Sequence, residues 1–274
     1  MPRCGFIPIQ HVSAAVGTQL RVWAPSSCRP VNELTATDLP NIHTIELRAL
    51  GRASDDSRVG VTGAFIAKPA SLHPPLRRVF LGDCLLESEA TIADLLAVFP
   101  TIDAFHLDDI YPLTLAALER HPPLRHLDIR SYTGLSSASI VSYLRKRGGE
   151  LRFLRCEGIS GVDNAVVDIL STHALRLEAV CFMDCPNIVP MSVSDDGSET
   201  AAVTFQNIQF LALLARGCPQ LKEVSFGSFN VKTVDRRVVP FLETLGGRKI
   251  RNFGIRVEPV CELMVVKAHG LVLA

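Results

Sequence analysis

Apolar residues return along this chain in one phrase, L-x-x-L-x-L-x-x-C, with Leu, Ile, Val, Phe or Cys filling the named places. Two copies carry all four positions: Leu76, Val79, Leu81 and Cys84, and Leu177, Val180, Phe182 and Cys185. Around them stand Ile42, Ile45, Leu47 and Leu50; Ile102, Phe105, Leu107 and Ile110; Leu124, Leu127, Ile129 and Tyr132; and Leu151, Leu154, Cys156 and Ile159. Leu221, Val224, Phe226 and Phe229 follow, then a degraded copy with Ile250, Phe253 and Ile255. Start-to-start distances are 34, 26, 22, 27, 26, 44 and 29 residues, so the unit is near 26 and the two long intervals mark insertions at 51–65 and 186–200. The fourth and sixth positions alternate as in a strand, and each copy is followed by helical spacing. In SEATIADLLAVFP the residues Ile92, Leu95, Leu96 and Phe99 share one helical face, Ser88 can cap its start, and Pro100 stops it. SSASIVSYLRKRGG ends on basic residues and two glycines, and VDNAVVDILSTH and TFQNIQFLALLARGCP are of the same kind. Each unit is thus strand, turn, helix, turn.

No such unit buries its apolar face alone, so the expected fold is an α/β solenoid, with a curved parallel sheet on the concave side and helices on the convex side. The period and phrase resemble the cysteine-containing leucine-rich repeat of F-box/leucine-rich-repeat proteins. The segment ARGCPQLKEVSF, Ala215–Phe226, is especially similar, with its helix-end Cys218-Pro219 running into the next strand. The resemblance covers about residues 39–258, and Tyr132, Ile159 and Phe229 depart from the subtype's Cys or Asn. It implies a protein-binding module. No F-box precedes the repeats, since Leu39–Pro40 already opens the first one, so ligase activity is not carried over. Recognition of a substrate for ubiquitylation beside an F-box on another polypeptide is the setting the resemblance leaves. Residues 1–38 are expected to form a cap or targeting-like segment and residues 39–274 the repeat domain. Leu20 and Val22 in TQLRVW read as a decayed earlier repeat, and CELMVVKAHGLVLA as a closing cap.

Composition narrows the class. The 274 residues carry 28 basic and 28 acidic groups and are 47% hydrophobic, which disfavours a strongly basic nucleic-acid binder and an acidic disordered chain. No apolar run approaches the ~18 residues of a membrane span. Eight cysteines are too sparse for a disulfide scaffold and no Asn-X-Ser/Thr sequon occurs, so a reducing, intracellular setting is expected, cytoplasmic or nuclear. Residues 1–32 lack acidic groups but carry Arg3, Arg21 and Arg29, a bias that keeps a mitochondrial or other organellar complex open. Pro2, Pro8, Pro25 and Pro30 count against a targeting helix.

The third, fifth and seventh positions of each strand are expected to face out of the concave sheet. In order they are Thr44, Glu46, Arg48; Arg78, Phe80, Gly82; Ala104, His106, Asp108; His126, Asp128, Arg130; Phe153, Arg155, Glu157; Ala179, Cys181, Met183; Glu223, Ser225, Gly227; and Asn252, Gly254, Arg256. Aromatic and Arg side chains side by side are typical of an interface hot spot. The candidate partner-binding set is Arg78, Phe80, His106, Asp108, His126, Asp128, Arg130, Phe153, Arg155 and Met183. The partner expected is a protein, bound by an adaptor or a structural subunit of a larger assembly.

Catalytic and cofactor signals are weak. Cys181 and Cys185 have metal-pair spacing, but the repeat turns one out and the other in, and no second pair follows. The Cys84, Cys156 and Cys185 thiols read as core groups and Cys218 as helix-end packing. Gly60–Gly63 lacks the Lys-Ser/Thr of a phosphate cradle, and Asp55–Asp56 and Asp195–Asp196 read as solvated loop charges. No catalytic residue, metal or cofactor is assigned. The alternative is a hydrolytic or metal-dependent enzyme using His106, Asp108, His126 and Asp128 on the concave face. No nucleophile or closed pocket is evident around them.

Overall fold

A computed structural model describes residues 22–23, 41, 43–48, 60–61, 75–82, 85–86, 89–108, 112–130, 134–188, 191–193, 199–201, 210, 213–214, 216–226, 252–257 and 262–267. Leu20, Ser88, Cys84, Ile110, Tyr132, Phe229, Ile250 and both Asp-Asp pairs lie outside these residues. The chain divides into two compact units, Met1–Asp108 with Ala116–Pro122, and Asp109–Leu115 with Pro123–Ala274.

In the first unit the strands are β1 (Val22–Trp23), β2 (Thr44–Arg48), β3 (Gly60–Val61), β4 (Arg78–Gly82), β5 (Leu85–Leu86) and β6 (Ala104–Leu107), with helix α1 at Glu89–Val98. Strands β1, β2, β4 and β6 pair in that order, all parallel. Thr44 stands opposite Arg78 and Arg78 opposite Ala104, so third positions meet third positions as the repeat alignment requires. The segment TQLRVW supplies strand β1, but in another register than its apolar pair suggested: Val22 stands opposite the third-position Thr44, and Trp23 takes the fourth position opposite Ile45. Within the first insertion Gly60–Val61 pairs parallel with Leu85–Leu86. Helix α1 stops at Val98, ahead of Pro100. Helix α2 is Pro112–Arg120.

The second unit carries β7 (His126–Arg130), α3 (Ser137–Arg147), β8 (Phe153–Glu157), α4 (Asn164–His173), β9 (Ala179–Met183), the hairpin β10–β11 (Met191–Val193 and Glu199–Ala201), β12 (Glu223–Phe226), β13 (Asn252–Val257) and β14 (Glu262–Lys267). Strands β7, β8, β9, β12 and β13 are parallel and in repeat register, His126 to Phe153 to Ala179 to Glu223 to Asn252. The segment expected as a closing cap supplies β14, which pairs antiparallel with β13. The 186–200 insertion folds in part as the antiparallel β10–β11 pair.

Burial explains the phrase. The first-position residues Leu76, Ile102, Leu124, Leu151, Leu177 and Leu221 and the fourth-position residues Ile45, Val79, Phe105, Leu127, Leu154, Val180 and Val224 are buried. So are the sixth-position residues Leu81, Leu107, Ile129, Cys156 and Phe182, and Ile159 and Cys185 at the ninth. Each such side chain contributes about 1.5–3 kcal/mol on leaving water. The backbone reaches the ninth position through a left-handed eighth residue, Gly158 (φ 68°) and Asp184 (φ 49°). The Cys185 thiol then turns back and donates to the Met183 and Cys156 carbonyls at 3.2 and 3.5 Å.

Helices are locked from one repeat to the next. Asp163 caps α4 by accepting the Ala165 and Val166 amides at 3.0 and 3.3 Å, and the same carboxylate accepts the Ser137 hydroxyl of α3 at 2.7 Å. Gly148 does not end α3 in a left-handed turn. It keeps right-handed geometry (φ −65°), and a single 3-10 turn over Gly148–Glu150 follows. At strand entrances within each unit a second-position amide donates to the second-position carbonyl of the repeat before it, as in Arg152 to Arg125 (2.8 Å), Glu178 to Arg152 (2.7 Å) and Lys222 to Glu178 (2.7 Å). Among the side chains there Glu178 pairs with Arg152 on one side and Lys222 on the other, and Arg176 pairs with Glu150. The hydrogen bond and charge of Lys222 pull the Glu178 carboxyl below its ordinary range, with Arg152 assisting. Among the described residues no helix is long and apolar enough to cross a membrane.

Two outcomes follow. A Cβ on Gly217 would land on the Ser171 carbonyl oxygen, where the Gly217–Cys218 corner meets the end of α4. Overpacking of about 3 kcal/mol then exceeds the ~1 kcal/mol that Ala gains in helix propensity, so Gly217→Ala lowers the urea midpoint by an amount equivalent to roughly 2 kcal/mol. The folded Glu178 carboxyl is held below its unfolded value, so its contribution is present at neutral pH and fades as pH falls through the folded value. Thermal unfolding therefore separates wild type from Glu178→Gln at pH 7, and the gap closes in acid and narrows in high salt.

Candidate functional site

The alternation that buries positions four and six turns positions three, five and seven to the other face of the sheet. In the second unit these side chains interlock. The rings of His126 and Phe153, cross-strand partners, stack face to face with centroids 4.1 Å apart and planes 13° apart. One row on, Asp128 faces Arg155, and in the next row Arg130 faces Glu157. These are opposite-charge neighbours running in reversed order. Arg155 binds the group together: its Nη2 donates to Glu157 Oε2 at 2.7 Å and contacts Met183 Sδ at 3.1 Å, and its Nε stands 3.9 Å from Asp128 Oδ1. Arg130 Nε reaches the same Glu157 oxygen at 3.1 Å. Burial works against the Arg155 charge, but the Asp128 and Glu157 carboxylates outweigh it and raise the guanidinium pKa further.

In the first unit Arg78 is exposed, and Phe80 is half-buried with its ring tilted 34° to that of His106 at 6.0 Å. His106 Nε2 lies 3.2 Å from Asp108 Oδ1. The face is less open than alternation alone suggests. His106, Asp128 and Met183 are 6%, 9% and 5% exposed, because Phe80 and Asp108 flank the first and Arg155 engages the other two. Of the candidate set, Arg78, Phe80, Asp108, His126, Arg130, Phe153 and Arg155 keep exposed or half-exposed surface.

Glu157 was absent from the candidate set although it joins both arginines. The signal lay in the repeat register, which sets Asp128-x-Arg130 against Arg155-x-Glu157. Within its own unit each His/Asp pair is taken up by strand-face neighbours. Among the described residues no group of three or more His, Cys, Asp or Glu is placed to hold a metal. A hollow of about 440 Å³ in the first unit lies on the helical side, lined by residues that include Asp94, Pro100, Arg120 and His121. The His121 ring there sits between the carbonyls of Pro122 (2.7 Å) and Phe99 (3.2 Å).

The thiols sort by face. Cys181 is half-buried beside Arg155 on the strand face, while Cys156, Cys185 and Cys218 are buried. Burial raises the Cys156 pKa well above its ordinary value, and pushes Cys185 up to about 12 and Cys218 to about 11.

No family model matches the chain, and no curated protein matches it. Among solved structures, the leucine-rich repeat-containing protein LegL7 from Legionella pneumophila aligns with a TM-score of 0.50 at 11% identity, covering 91% of this chain and 87% of that one. At that identity the likeness speaks for fold, and the fold is an α/β leucine-rich-repeat solenoid.

Thiol labelling tests the assignment of faces. In the native protein at pH 8, iodoacetamide followed by peptide mass mapping is expected to modify Cys181 while Cys156, Cys185 and Cys218 react only after unfolding. Equal labelling of Cys181 and Cys185 would show that the two do not lie on opposite faces.

Proposed function

We propose that this chain is a non-enzymatic interaction module that holds a protein partner on the strand face of its repeats, as an adaptor or a structural subunit of a larger assembly. The observation that carries the reading is the second unit's strand face. There a stacked His126–Phe153 pair and the Asp128–Arg155–Glu157–Arg130 cluster stand side by side on rigid strands and keep part of their surface open. Ordered aromatic and Arg groups bind with little further loss of side-chain freedom, the favourable condition for a hot spot. Arg78, Phe80, His106 and Asp108 supply the same residue types in the first unit, and Met183 backs Arg155. We also read the repeats as the cysteine-containing subtype, supported by the inturned Cys185 thiol and by Cys218 at a helix end. The F-box-linked and organellar settings both require such a face.

The test is site-directed photo-crosslinking in cells. A benzoylphenylalanine at position 153 or 80 is expected to capture a protein that the same group at Asp94 or Asp168, exposed on helices α1 and α4, does not capture. Phe153→Ala combined with Arg155→Ala should remove that protein from a pull-down while the variant still unfolds cooperatively. Capture from the helix positions alone, or an unchanged pull-down, would place binding elsewhere.

A further inference from the structure

The third-position row of the second unit reads His126, Phe153, Ala179, Glu223 across adjacent parallel strands. Because His126 and Phe153 stack face to face across the strand gap, the planes of both rings stand across the row. The second face of Phe153 is therefore turned toward the next strand, whose side chain in this row is the single methyl of Ala179. Beyond Ala179 comes Glu223, which is exposed. With strands about 4.8 Å apart, the Phe153 and Glu223 positions stand about 10 Å apart. That leaves room for one flat group at stacking distance from the ring and within reach of the carboxylate.

We propose that this gap is a seat for an arginine side chain of the partner, its guanidinium lying on Phe153 above Ala179 and donating to Glu223. The inference rests on the strand face being the docking face and adds the chemistry of what docks. A planar cation satisfies both walls at once, through attraction to the ring face and a forked hydrogen bond to the carboxylate. An aromatic group would stack but leave Glu223 desolvated and unpaired, which is costly. An ammonium would be drawn to both walls as a point charge, but it has neither a plane to lie along the ring nor a fork to match the carboxylate. The chain's own neighbouring cations are committed elsewhere: Arg152 and Lys222 meet Glu178, Arg176 meets Glu150, and Arg155 points along its strand to Glu157 and Met183 with its charge met by two carboxylates. A guest cation in the third-position row therefore faces the exposed Glu223 carboxylate, while the exposed Arg125 stands at the far end of the row, beside His126 and two strands away from Ala179.

The experiment is to pan a phage-displayed library of random dodecapeptides on the full chain and measure affinities of resynthesised hits by fluorescence anisotropy. Arginine is expected at one fixed place in peptides that the Phe153→Ala/Arg155→Ala double variant fails to bind. Replacing that arginine by citrulline, which keeps the shape and loses the charge, should weaken binding about tenfold. Ala179→Leu, which fills the gap, should weaken it about as much, Glu223→Gln should weaken it several-fold, and Ala179→Ser should leave it within about twofold. The Ser variant also shows that position 179 tolerates change without loss of fold. Peptides that need Phe153 and Arg155 but carry no arginine, or bind as tightly with citrulline, would overturn the seat and leave the docking face standing. Peptides indifferent to the double variant, or no enrichment at all, would overturn the docking face and the seat with it.

Discussion

An isolated strand–helix unit of this chain would leave its first, fourth and sixth side chains facing water on two sides, and stacking in register is the one arrangement that covers them. The backbone enforces that register. Second-position amides and carbonyls continue the strand ladder beyond the strands themselves, from Arg125 to Arg152 to Glu178 to Lys222. A slip of one residue between strands would turn a buried column such as Ile129, Cys156 and Phe182 out to solvent and bring Asp128, Arg155 and Cys181 in beneath the helices. Burying two unpaired charges in that way costs far more than any one stacking contact gains, so the register has no near competitor. The rows on the other face are then lined up as a consequence, whatever residues occupy them.

This is why so much of the fold could be read from sequence. The period fixed which residues are equivalent, and equivalence is the pairing: Thr44 with Arg78, Phe153 with Ala179, and even the degraded repeat, where Phe253 stands opposite Val224. What stayed hidden was non-periodic. The left-handed residue before the ninth position is glycine in one repeat but Asp184 in the next, a residue type that tolerates this conformation without requiring it. The glycines at 148 and 149 mark where the helix ends, but not that the chain tightens into a 3-10 turn there. Alternation gives direction and not depth, so His106, Asp128 and Met183 read as open when their neighbours cover them. The antiparallel β14 departs from the parallel pairing of β12 with β13, and no copy of the repeat phrase announces it.

The charge cluster on the strand face contributes more to position than to stability. Exposed ion pairs are worth about 0–1 kcal/mol, and partly buried ones spend most of their Coulomb gain on desolvation. Arg155 nevertheless has two carboxylates and a thioether fixed around it, and Glu157 accepts from Arg155 and is ion-paired with Arg130 as well. Several long side chains that would otherwise sample many rotamers are held in one arrangement before any partner arrives. That ordering cost is met during folding, and a partner does not meet it again on binding.

A face so heavily self-paired would be a poor one for recognition if every group were satisfied within the chain, since a partner would have to break contacts to make them. The third-position row escapes this objection. Its ring stack is terminated on one side by a methyl group, and its carboxylate lies outside the charge cluster. Selectivity then comes from contrast: the neighbouring rows are neutralised and offer shape, while this row offers a flat apolar wall and an open negative charge at a fixed spacing. A guest lacking a planar cation gains one wall and loses the hydration of the other, a penalty of the kind that separates partners more sharply than extra apolar area does.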